Sequence, residues 1–68
     1  MDMLHIFLDG EAVTEKELRE ILVLAMFDEG ITIEAATNIV DGYTKNDVII
    51  CLGQRGRKIT FNNTFWRF

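Results

Sequence analysis

The chain has 68 residues, of which 49% are apolar, and its formal net charge is −4. One cysteine and one histidine exclude an internal disulfide and the four-ligand set of a structural zinc site. No serine and no glycine-rich phosphate loop are present, so we expect no catalysis, no metal and no cofactor. The length allows one domain, residues 1–68, with a small core.

The longest apolar run, residues 21–27, is far shorter than the roughly 20 residues that span a membrane. The N-terminus lacks the basic segment of a secretion signal. These features predict a soluble cytoplasmic protein without membrane contact. The high apolar content of so short a chain also predicts that a partner covers part of its surface.

Residues 3–8 alternate in a pattern that predicts a strand, with Ile6 and Leu8 on one face. The opposite face is also mostly apolar, which indicates a strand covered on both sides. The dipeptide Asp9-Gly10 then predicts a turn.

A first helix is expected over residues 15–29. Thr14 and Glu17 have the spacing of a capping box, and Gly30 is a typical residue just beyond a helix C-terminus. Residues 21–27 are apolar on every side of this helix. Either both sides are covered within the fold, or one side is a partner surface. A short strand is the competing prediction for this run, and the flanking cap residues favour the helix.

Thr32 predicts the N-cap of a short second helix over residues 33–41. Residues 47–52 predict a strand that is apolar on both faces, since every residue after Asp47 is apolar, and this favours a central position in the sheet. A hairpin loop at residues 53–56 and a strand at residues 57–62 are expected to follow.

The predicted fold is therefore α+β with the element order β-α-α-β-β. Its simplest assembly is a three-stranded, mostly antiparallel sheet with the helices packed on one face.

Neither of the two residues with reactive side chains has a catalytic partner nearby in sequence. Cys51 lies in an apolar segment, where a thiol usually contributes only packing. His5 lies on a largely apolar strand face, where a packed histidine is more common than a general base.

Charge is unevenly distributed along the chain, with −8 over residues 1–41 and +4 over residues 42–68. Acids concentrate where the first helix begins. Part of this acidity is ordinary helix capping; the functional hypothesis is that these carboxylates occupy a cationic surface of a partner protein, such as a nucleic-acid-processing enzyme. The candidate residues are Glu11, Glu15, Glu17 and Glu20.

Three bases, Arg55, Arg57 and Lys58, lie on or beside the expected hairpin. Two helices followed by a basic hairpin resemble a winged helix in topology, over roughly residues 14–62 and without a family motif. The resemblance implies direct nucleic-acid binding. However, the helix over residues 33–41 has no base, and a chain at −4 has few phosphate contacts to offer. A solvated turn and a contact to an acidic protein are the alternatives.

The C-terminus, residues 64–68, is aromatic. Trp66 and Phe68 either close the core over the sheet or are exposed anchors for a partner or a second copy. The sequence thus predicts a small protein-binding regulator or inhibitor, of a kind typical of phage and mobile elements. A homo-oligomer joined through Val23, Met26 and Phe27 is a further alternative.

Overall fold

The structure, a computed structural model, describes residues 4–63, with side chains over residues 5–61. The α+β class and the three-stranded antiparallel sheet are as the sequence predicts. In chain order the elements are β1 (Leu4–Leu8), β2 (Glu11–Val13), α1 (Glu15–Asp28), α2 (Ile33–Asp41), α3 (Lys45–Gln54) and β3 (Ile59–Asn63).

Strand β1 is the middle strand of the sheet and pairs antiparallel with both β2 and β3. The dipeptide Asp9-Gly10 joins β1 to β2, and both of its residues have positive φ, 51° and 92°. Two left-handed residues in a two-residue loop are the requirement of a tight hairpin turn, and Asp-Gly is a preferred sequence for it. The turn was predicted; the short strand β2 that follows it was not.

Helix α1 begins as predicted, with a capping box in which the Thr14 and Glu17 side chains bond each other's backbone N–H groups at 3.1 and 2.8 Å. Its end is closed by Gly30, at a φ of 102°, and the Ile31 N–H donates to the Met26 carbonyl at 3.1 Å. This pattern is a Schellman motif.

Helix α2 has the predicted N-cap. The Thr32 side chain accepts a hydrogen bond from the backbone N–H of Ala35 at 3.2 Å. The helix ends at Asp41 and Gly42 is its C-cap, so both predicted bounds of this element are confirmed.

The strand predicted over residues 47–52 is wrong, because this segment lies in helix α3. Thr44 and Asp47 form a second capping box, with both hydrogen bonds at 3.1 Å. The caps fix a helix start just before the apolar run, and packing against α1 then overrides the β-propensity of its branched residues.

The packing of α3 also has helical rather than strand periodicity. Val48 and Leu52, four residues apart, are fully buried, whereas Ile50 between them is 56% exposed. Cys51, expected in a strand, is a half-buried free cysteine on this helix.

The hairpin loop expected at residues 53–56 is instead the C-terminal end of α3. Gly56 has a φ of 85°, and the Arg57 N–H donates to the Leu52 carbonyl at 3.1 Å, which is a second Schellman motif. The chain then enters β3, whose partner is β1.

One core holds these layers together, and α1 lies at its centre. The helices cover one face of the sheet, through Ile6 and Leu8, while His5 and Phe7 on the other face are only half-buried. The expected cover on both sides of β1 is therefore not seen in the described residues. The buried side chains are Ile6, Leu8, Leu18, Leu22, Met26, Ala36, Val40, Val48 and Leu52.

We predict that Leu22→Ala lowers the free energy of unfolding by about 2–5 kcal/mol, since it leaves a cavity at the centre of the core. That is a large share of the few kcal/mol available to a domain of this size. Leu24→Ala, which truncates a side chain of the same helix that is 56% exposed, should change it by less than about 1 kcal/mol. Urea unfolding followed by circular dichroism measures both, and equal losses would contradict the assigned core.

Candidate docking surface

The predicted acidic cluster is exposed, and half of it serves the fold. Glu15 accepts hydrogen bonds from Nε and Nη2 of Arg19 at 3.2 and 2.9 Å, and Glu17 belongs to the α1 capping box. The side chains of Glu11 on β2 and Glu20 on α1 make no hydrogen bond within the described part of the chain. The cluster therefore divides into two structural and two unpaired carboxylates.

Arg19 joins the start of α1 to the end of α2. Its Nη1 donates to the Val40 carbonyl at 2.8 Å while the same guanidinium pairs with Glu15. This bond, together with the short connection over residues 29–32, shows that α1 and α2 run antiparallel.

Arg55, predicted to contact a partner, is held inside the domain. Its Nε and Nη2 donate to the two carboxylate oxygens of Glu29 at 2.7 and 2.9 Å, and its Nη1 donates to the Cys51 carbonyl at 3.0 Å. The hydrogen bonds lower the pKa of Glu29 below its usual value and raise the pKa of Arg55. A bidentate pair of this kind fixes the end of α3 beside the end of α1.

Arg57 is also paired. Its Nε donates to Asp9 at 2.7 Å, and the backbone N–H of Lys58 donates to the other oxygen of the same carboxylate at 3.0 Å. These bonds lower the pKa of Asp9, first through the Lys58 N–H and then through Arg57. They attach the β1–β2 turn to the start of β3, while the Lys58 side chain stays exposed.

The folded chain does not keep the charge separation of its sequence. Arg55 and Arg57 belong to the basic half and pair with Glu29 and Asp9 of the acidic half. The three arginines of residues 4–63 are thus all bonded to carboxylates, and the expected basic hairpin is a helix end. Nucleic-acid binding there remains an untested hypothesis with only Lys58 of its three bases outside an ion pair.

A groove of about 570 Å³ lies between α1 and α2, and we call it the α1–α2 groove. Leu24 and Ile33 are 56% and 44% exposed in it, and the half-buried Val23 and the buried Val40 also line it. Its remaining lining residues are polar: Lys16, Arg19, Glu20, Thr37 and Asp41.

The groove exists because two helices pack side by side and nothing in the described chain lies over their junction. Ala36 of α2 is fully buried, and so small a side chain at the junction favours close approach of α1. Helix α3 packs on α1 without lining the groove. Among the described residues, only α1 and α2 line the groove.

Sequence reasoning found Glu20 but missed Leu24 and Ile33. The exposed apolar residues expected on α1 were Val23, Met26 and Phe27; Phe27 is 51% exposed, Val23 is half-buried and Met26 is in the core. The assignment of Met26 to an outer face is thus wrong. The N-cap residue and the glycine after the C-terminus show where a helix begins and ends in the sequence. They do not show which of its apolar sides faces the core.

Other predicted features do not add to this site. Trp66 and Phe68 lie outside the described residues.

Within residues 4–63 no three His, Cys, Asp or Glu side chains are grouped to bind a metal ion. None of the helices in that range combines the length and the apolar composition that a membrane span requires.

Comparison of the chain with models of known protein families, with curated proteins and with solved structures found no match.

The Arg57–Asp9 and Arg55–Glu29 ion pairs predict that the stability of the fold decreases at acidic pH. Asp9 and Glu29 have lowered pKa values in the folded state, so their contribution to stability is present above the pKa values of the unfolded chain, about 4. It is lost as the pH falls through the lower, folded-state values. Asp9→Asn should therefore be less stable than the natural chain at pH 7, and the difference should shrink below about pH 4.

Thermal unfolding between pH 7 and pH 2 measures this difference. Glu11→Gln is the matched control, since the Glu11 carboxylate is exposed beside the same turn and its side chain makes no hydrogen bond in residues 4–63. A loss that stays constant over the whole pH range would show that the Asp9 carboxylate does not act through its charge.

Proposed function

We propose that the chain is a small protein-binding regulator or inhibitor that docks through the α1–α2 groove and the acidic start of α1. The observation that carries this proposal is the open groove, in which Leu24 and Ile33 stay exposed although the domain has a complete core without them. Exposed apolar side chains that are rimmed by polar groups are typical of interaction sites.

The balance of charges supports a cationic partner. The guanidinium groups of the described arginines are bonded to carboxylates within the chain. The side-chain carboxylates of Glu11 and Glu20 have no hydrogen-bond partner among residues 4–63. The remaining negative charge favours association with basic surfaces and speeds it at low salt. A surface that otherwise binds nucleic acid is one such basic surface, and its occupation would inhibit the partner.

We predict that Leu24→Gln abolishes capture of the partner from a lysate of the source organism, while Ile50→Gln does not. Both side chains are on helices and are 56% exposed, but only Leu24 lines the groove. Quantitative mass spectrometry of proteins retained by the immobilised natural chain and by each variant measures the effect.

Three results would contradict the proposal. Loss of the partner in Ile50→Gln alone would place the docking surface on α3. Retention of nucleic acid in place of a protein would support the winged-helix hypothesis. Dimerisation of the natural chain by size exclusion, lost in Leu24→Gln, would identify the groove as a contact between copies.

A further inference from the structure

We propose that the α1–α2 groove binds an amphipathic helix of the partner, one that carries lysine or arginine beside its apolar stripe. This inference rests on the proposed function and specifies the occupant of the same surface. It follows from the shape of the groove, from the order of polar and apolar residues along it, and from the charge that the fold leaves unpaired.

The shape of the groove matches a helix. Its walls are two antiparallel helices, and its lining extends over residues 16–24 of α1 and 33–41 of α2. At a rise of 1.5 Å per residue, each wall is about 12 Å long, which corresponds to about two turns of a helix laid along it. A third helix in such a groove would repeat the side-by-side packing that α1 and α2 already make.

The exposed apolar residues and the charged residues of the lining lie toward opposite ends, and Val40, at the charged end, is buried. Leu24 and Ile33 lie toward the α1–α2 connection, whereas Lys16, Glu20 and Asp41 lie at the other end, where α1 begins and α2 finishes. A partner helix therefore needs apolar side chains over one turn and polar or charged side chains over the next.

The four charged lining residues sum to zero, and the polar end carries a formal charge of −1 once Glu15, the ion-pair partner of Arg19, is counted with them. Arg19 lines it, but its guanidinium is already bonded to Glu15 and to the Val40 carbonyl. Lys16 is then the one cation of the lining outside an ion pair within residues 4–63, and the lining also contains the two carboxylates of Glu20 and Asp41.

Helix α2 ends beside this polar end. Its last turn contains no basic residue, but Arg19 already donates to the Val40 carbonyl, so the helix terminus adds little negative charge of its own. A lysine or arginine supplied by a partner helix would interact favourably with the carboxylates of Glu20 and Asp41. The groove thereby selects a cationic helix over an anionic one.

The test uses two synthetic 18-residue amphipathic peptides with the same leucine stripe, one with lysine and one with glutamate on the flanking positions. Each is titrated into the full chain labelled with ¹⁵N, and amide shifts report both the affinity and the site. We expect the lysine peptide to bind at least about tenfold more tightly, with the largest shifts at Val23, Leu24, Ile33 and Thr37.

Variants separate the groove from general attraction to an acidic protein. Leu24→Gln should abolish these shifts and Ile50→Gln should keep them. The double variant Glu20→Gln with Asp41→Asn should lower the affinity for the lysine peptide by about three- to tenfold, as expected for the loss of one or two exposed ion pairs. The control double variant, Glu11→Gln with Asp28→Asn, removes the same number of negative charges outside the groove lining. It should lower the affinity for the lysine peptide by a smaller factor.

The inference is overturned by equal affinity for the two peptides, by shifts centred on Ile50 or on the sheet, or by the absence of binding at millimolar peptide. Concentration-dependent shifts of the groove without peptide would assign it to a second copy and also overturn it. If these results appear while Leu24→Gln still loses a captured protein, the inference fails and the proposed function stands. If the lysine peptide binds the groove but Leu24→Gln captures every protein that the natural chain does, the proposed function fails.

Discussion

The fold depends on one buried stripe of helix α1, formed by Leu18, Leu22 and Met26. Helices α2 and α3 both pack on α1, and β1 adds Ile6 and Leu8 to the same core. A helix that places one side in the core and touches two neighbouring helices leaves its outer side uncovered. Within residues 4–63 no further layer covers it, as is common in small domains, whose surface is large relative to their interior.

Ion pairs within the chain decide which charged side chains stay unpaired at the surface. The Arg55–Glu29 and Arg57–Asp9 pairs join the two halves of the chain, at the end of α3 and at the start of β3. Exposed ion pairs contribute little to stability individually, so their main consequence here is positional. They hold two cations against carboxylates of this chain, and neither arginine lines the α1–α2 groove, where Glu20 and Asp41 lie.

The parts of the fold that could be predicted are those with local signals. Thr14 and Thr32 cap the first two helices as their spacing indicates, and Asp9-Gly10 makes the expected turn. Helix α3 was missed although Thr44 and Asp47 carry the same cap signal as Thr14 and Glu17, because the apolar run that follows them has strong β-propensity and no clear period. The strand β2 was missed because three residues are too few to show alternation.

The groove could not be predicted from the sequence, because it belongs to neither helix alone. Leu24 and Leu22 are the same residue type two positions apart, and only the packing of α1 on its neighbours makes one exposed and the other buried. The acidic residues were visible in the sequence, but their roles were not, since Glu15 and Glu17 serve the fold while Glu20 borders apolar surface. An apolar end gives such a groove most of its affinity by burial, and a charged end fixes the direction and identity of the bound segment. In the proposed complex, specificity would therefore depend on which carboxylates the arginines leave unpaired.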